Sequence, residues 1–206
     1  MKDEIRRTFW IFIKPRDAIE EIQTLRVGKH GVAIALLITG IFTSIYSFIF
    51  GIELVNPFLP NDSELLLFAI IMIAVVLFVS GIMLITFTWI IVTAISHLLL
   101  RVQGCTGDFD SFQTGNGYAL IVLAVQPIIG ILLLMMLGPV DIMFAYDLIS
   151  TILIRIWFGL LVSLSMKANY DCTWKQIAIA IIIALVLMSI YPLIPQYITP
   201  SFEPTT

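Results

Sequence analysis

The sequence predicts an all-α polytopic membrane protein. It has five transmembrane helices and, before them, an amphipathic N-terminal interfacial helix. Three observations carry this. Of 206 residues, 60% are apolar and only 12% charged, and the mean hydropathy is +1.05. A soluble domain is roughly 45–50% apolar and about 25% charged, and a chain this short buries only about 70% of its surface on folding. Lipid is therefore the expected solvent for the remainder. The apolar residues also fall in blocks long enough to cross a bilayer, and almost all basic residues lie on one side of those blocks.

Residues 1–30 form a charged segment expected in the cytosol. Pro15 suits the first turn of a helix, and Ala18, Ile19, Ile22 and Leu25 then fall on one face, with Phe9, Trp10, Phe12 and Ile13 just upstream. Such a helix is expected to lie in the interface, with basic flanks against anionic lipid. A partner protein is the alternative occupant of its apolar face. The first apolar run begins at Gly31 and is too long for the core of a signal peptide.

A helix needs about 20 apolar residues to cross a hydrocarbon core of roughly 30 Å. The membrane domain, 31–195, supplies such runs at 31–51, 65–100, 117–137, 148–166 and 177–194, and 196–206 is a short tail. The run 65–100 would be about 54 Å long as one helix. Ser80-Gly81 offers only a weak turn, so a single tilted or projecting helix is expected. Backbone groups cannot stay unpaired in lipid, which makes each run helical.

Orientation follows from lysine and arginine. Lys2, Arg6, Arg7, Lys14, Arg16, Arg26 and Lys29 precede the first span, Arg101 follows the second, and Lys167 and Lys175 follow the fourth. Ten of the eleven basic residues thus share one side, and the eleventh, Arg155, lies within a span. The positive-inside rule places those ten in the cytosol, with the N-terminus inside and the C-terminus outside or in a lumen. Cys105 and Cys172 fall in the second and fourth loops on that side. Free thiols are the expectation there.

Two motifs carry a family resemblance. One is the run Phe9-Trp10-Ile11-Phe12-Ile13-Lys14-Pro15-Arg16 followed by Asp17 to Ile22. The other is the loop Gly104-Cys105-Thr106-Gly107-Asp108-Phe109, leading through Phe112 to Gly117-Tyr118-Ala119-Leu120. With the span count and orientation, the chain resembles the Yip1 domain family of five-span membrane proteins. Its short N-terminal region is similar to that of prokaryotic members; the resemblance implies an integral membrane protein, in the cell membrane if the chain is prokaryotic. The resemblance implies a membrane-organising or trafficking-type protein whose activity is binding. It makes Gly104, Gly107, Asp108, Phe109, Phe112 and Gly117 the candidate partner-contact loop, with Phe109 and Phe112 expected to dip into the interface.

Arg155 is the costliest residue, because an arginine at the centre of a span costs about 2.5–3.5 kcal/mol on insertion scales. Thr151, Arg155, Gly159 and Ser163 recur every four residues and drift only about 40° per step, so the stripe should face other helices. Arg155 is expected to meet span three, through Gln126, a carbonyl freed near Pro127, or Tyr118. Arg155, Gln126, Tyr118, Thr151 and Ser163 form the candidate intramembrane polar site. In span one, Gly40, Ser44, Ser47 and Gly51 make a small-residue face suited to close packing, internal or between copies.

Enzyme chemistry is not expected. His30 and His97 are the only histidines, and neither a His-Glu-x-x-His nor a Gly-x-Ser-x-Gly setting is present. Cys105, Cys172 and His97 lack the pairwise spacing of a metal site, so neither metal nor cofactor is expected. The expected partners are the lipid bilayer, proteins at the cytosolic face and further copies of the chain, with no nucleic acid. The alternative reading is a small channel or transporter built around Arg155 and Gln126.

Overall fold

The computed structural model describes residues 2–24, 30–55, 63–137 and 142–190. The C-terminal tail, the last residues of the expected fifth span and most of the first loop lie outside these. Among the described residues, eight helices follow one another: α1 (Lys2–Ile13), α2 (Pro15–Thr24), α3 (His30–Val55), α4 (Ser63–Val102), α5 (Phe109–Ala119), α6 (Val125–Leu137), α7 (Ile142–Asn169) and α8 (Trp174–Ile190). A 3-10 segment, Leu120–Ala124, joins α5 to α6. Two short strands, β1 (Thr106–Gly107) and β2 (Tyr170–Asp171), pair antiparallel. Among the described residues, four helical stretches are long and apolar enough to cross a membrane: His30–Ile49, Glu64–Val102, Phe109–Met136 and Ile149–Asn169. Trp174–Leu187 is apolar but shorter.

Helix α4 is one unbroken helix of 40 residues, about 60 Å at 1.5 Å per residue. Ser80-Gly81 makes no turn. Gly81 is instead where α4 crosses α3. A Cβ on Gly81 would lie 2.8 Å from Ser44 Oγ, and one on Gly40 would lie 2.6 Å from Ile82 Cγ1. Ser44 is buried, and its hydroxyl donates to Gly40 O at 2.6 Å, which leaves no unpaired polar atom at the crossing. At Gly40 and Ser44 the small-residue face of span one therefore serves internal packing. Gly40→Val should lower stability by about 1–3 kcal/mol through overpacking. Thermal unfolding in detergent measures this, and an unchanged midpoint would contradict the crossing.

Span three is interrupted as its proline suggests, with the irregularity placed on the N-terminal side. A proline ring displaces the carbonyl four residues back, here Leu123, which lies within the 3-10 segment. Pro127 itself sits in the first turn of α6, where its missing N–H costs little.

The N-terminal segment differs from the expectation that its apolar face rests on lipid. Ile11, Ala18, Ile19 and Ile22 are buried at 0–2% exposure. Helix α1 packs on α3, and α2 packs on α7 and α5. At Ala18, Ile19 and Ile22 the apolar stripe is thus occupied by the bundle itself; Leu25 lies outside the described residues. Arg6 and Arg7 both pair with Glu21, at 2.9 and 3.0 Å, and tie the two helices together. The largest fully buried side chains, including Ile11, Ile19, Phe112, Tyr118 and Met166, belong to this same core under the two N-terminal helices.

Candidate functional site

The loops after α4 and α7 meet at one end of the bundle. Gly104, at φ +81°, turns the chain out of α4, a conformation glycine adopts without penalty. Thr106 then pairs with Asp171 and Gly107 with Tyr170. A Cβ on Gly107 would lie 2.4 Å from Asn169 O, a backbone atom that cannot yield. Asp108 caps α5, accepting from Asp110 N at 3.2 Å and from the Ser111 hydroxyl. The Phe109 ring packs on His97 with centroids 4.6 Å apart. His97 Nδ1 is hydrogen-bonded to the Tyr170 hydroxyl, and Phe112 meets Tyr170 edge-on at 5.5 Å. Lys167 Nζ donates to Cys172 O at 2.7 Å, and Gln176 Nε2 donates to Gln103 O at 3.0 Å.

Cys105 and Cys172 form a disulfide, which corrects the expectation of free thiols. They are 67 residues apart in sequence, so no short-range spacing signals the pair. The strand pairing brings their Cα atoms to 5.5 Å. Phe112 is a second correction: it is fully buried, whereas Phe109 is 36% exposed. The candidate loop is therefore half scaffold and half surface. Gly117 belongs to the scaffold, because a Cβ there would lie 2.5 Å from Val32.

Burial pushes the Tyr170 phenol up to about 12. A raised pKa favours the neutral form in the folded state. The stabilisation is complete below the unfolded value near 10 and is lost as pH rises towards 12. An ultraviolet titration of the folded protein, minus that of Tyr170→Phe, should show a wave centred near pH 12. A difference wave near pH 10 would contradict this burial.

The second candidate site lies within the membrane. Gln126 Nε2 donates to Thr151 Oγ1 at 2.8 Å, and the Tyr146 hydroxyl donates to Gln126 O at 2.7 Å. A cavity of about 340 Å3 opens beside them, with Gln126, Tyr146 and Ser150 as its polar lining. Ser163 Oγ bonds back to Gly159 O at 2.7 Å, and Gly159 sits against Leu185 of α8. The stripe on α7 thus faces α6 at Thr151 and α8 at Gly159. Arg155, between them, is half-buried and does not line the cavity. Tyr118 is placed elsewhere: it is fully buried against Gly31 of α3. Tyr146 is an added member. Asn116, fully buried and donating to Thr93 Oγ1, is a further polar residue not singled out in advance. The helical spacing of Thr93 and Ser96 was the signal for a buried polar face on α4.

Both the loop and the polar site lie between Phe9 and Ile194. Over those residues, 9–194, the family model for the Yip1 domain matches the chain. The chain belongs to the Yip1 family. The matched Yip1 domain includes α2, the disulfide-linked loops and every apolar helix. No curated protein and no solved structure matches the chain. Among the described residues, no group of three or more His, Cys, Asp or Glu is placed to hold a metal ion.

Proposed function

We propose that this Yip1-family membrane protein binds partner proteins at its cytosolic face, organises membrane through them, and catalyses no reaction. In this reading α8 is the fifth crossing, and the end bearing the disulfide-linked loops faces the cytosol. One observation carries the proposal. The loops 104–108 and 170–173 are fixed to each other by strand pairing and a disulfide, and α1 and α2 are packed onto the bundle. Such ordering preserves a surface whose shape a partner can recognise without first paying to order it. The positive-inside rule supplies the sidedness.

The test is purification of the intact protein from its native membrane in mild detergent, with the wild type compared with Phe109→Ala/Asp110→Lys. Both side chains are exposed, so the variant should fold. A stoichiometric soluble partner that the variant loses is the expected result. Retention of the same partner by the variant, or no partner in the wild type, would count against the proposal. The transporter reading is tested by flux in liposomes: flux abolished by Arg155→Leu would replace the binding proposal.

A further inference from the structure

A second surface lies at the same end of the bundle, between α2 and the turn from α7 into α8. A cleft of about 420 Å3 opens there, lined by Arg16 and Glu20 of α2, Leu164 and Lys167 of α7, and Trp174 of α8, with Ile19 and Ala168 completing it. Its volume falls within the range of small-molecule sites, roughly 300–1,000 Å3. Its chemistry is split. Two cations and one carboxylate line it together with leucine, isoleucine, alanine and tryptophan side chains.

We propose that this cleft binds the phosphodiester headgroup of an anionic phospholipid, with the lipid's acyl chains running down α7. The cations are suited to it. Arg16 Nε is held by Glu20 at 2.9 Å, one helical turn on, which fixes the guanidinium and leaves its terminal N–H groups for a ligand. Lys167 gives one donor to Cys172 O, and an ammonium carries three. Glu20 neutralises one charge, so the lining keeps a net positive charge suited to a single phosphate.

Depth and shape argue for a lipid over a free anion. Lys167 is near the end of the apolar stretch Ile149–Asn169, the level at which headgroups lie. Trp174, 55% exposed beside it, is the residue type that belts that level. From the cleft, Leu164, Leu160 and Ile156 recur every four residues along α7, drifting about 40° per step. Leu160 and Ile156 are about half exposed and continue the apolar lining toward the membrane interior.

The full-length protein in detergent is titrated with dihexanoyl phosphatidylglycerol and followed by native mass spectrometry. Dihexanoylglycerol, which lacks the phosphate, and inorganic phosphate, which lacks the chains, are the comparators. The expected result is saturable binding of the phospholipid alone. Arg16→Gln/Lys167→Gln should weaken it by about tenfold, the scale of charge-assisted hydrogen bonds, and Lys167→Arg should retain it. If the double variant fails to fold, Arg16→Glu carries the test, because that side chain is exposed; it too should weaken binding by about tenfold. Equal binding of the phosphate-free diglyceride, equal competition by inorganic phosphate, or unchanged affinity in the charge variants would overturn the proposal.

Discussion

Gly31→Ala should destabilise the protein by about 3 kcal/mol, the upper end of what overpacking a filled core produces. A Cβ at Gly31 would lie 1.9 Å from the Tyr118 ring. Tyr118 cannot move aside, because it is fully buried and so are its neighbours Ala119 and Leu120. Separation of α3 from α5 is the remaining way to relieve the overlap, and α3 packs against α5 and the 3-10 segment after it. The measurement is a double-mutant cycle on thermal unfolding in detergent. Tyr118→Ala alone should also destabilise, by loss of packing. In that background Gly31→Ala should cost little, since the clashing ring is gone. Additive losses in the double variant would show that Gly31 and Tyr118 are not in contact.

Loss of the disulfide should have a comparable effect. Closing a loop of 67 residues stabilises a freely unfolding chain by about 4 kcal/mol in the chain-entropy description. Helices that stay inserted already restrict the unfolded chain, so about 2 kcal/mol is the expected loss. Strong reductant should lower the unfolding midpoint of the wild type to that of Cys105→Ser/Cys172→Ser. The same reductant should leave the double variant unchanged. A wild type insensitive to reductant would mean that the bond is absent or contributes nothing.

The bond and the charge pattern bear differently on sidedness. Stable disulfides belong to oxidising compartments, whereas the five-span reading of the sequence puts ten of the eleven basic residues on the same side as Cys105 and Cys172. Charge distribution acts during insertion and sets which face each loop takes. The bond requires both loops on one face, which the pairing of Thr106–Gly107 with Tyr170–Asp171 provides, and an oxidant to form it.

What was legible in the sequence follows from what hydropathy measures. It distinguishes lipid from water, so the apolar runs and the unbroken helix through Ser80-Gly81 could be read from composition and charge. Residue size also spoke plainly: Gly40 and Ser44 marked a close helix crossing before the crossing helix was known. Hydropathy does not distinguish lipid from protein. Ala18, Ile19 and Ile22 would pattern identically on a membrane surface or on α7, and only the fold shows that they are buried in the bundle. Phe112 looked interfacial for the same reason, and the fold buries it. The Cys105–Cys172 pairing needed the register of two loops far apart in sequence. In the polar site, Gln126 and Thr151 were foreseeable from span position and helical spacing. Tyr146, at the start of α7, joins them through a backbone carbonyl, which no side-chain pattern encodes.

The proposed function depends on the disulfide-linked end facing the cytosol, and single-cysteine accessibility tests that most directly. In a Cys105→Ser/Cys172→Ser background, cysteine is introduced singly at Asp3, Asp110, Lys175 and Glu64, all exposed positions. Asp110 on α5 and Lys175 on α8 adjoin the disulfide-linked loops, Asp3 is on α1, and Glu64 opens α4 at the other end. With a membrane-impermeant thiol reagent added to sealed cells, only the cysteine at Glu64 should react. The other three should react after permeabilisation. Labelling of Asp110→Cys or Lys175→Cys in sealed cells, with Glu64→Cys protected, would invert the protein in the membrane and contradict a cytosolic binding face.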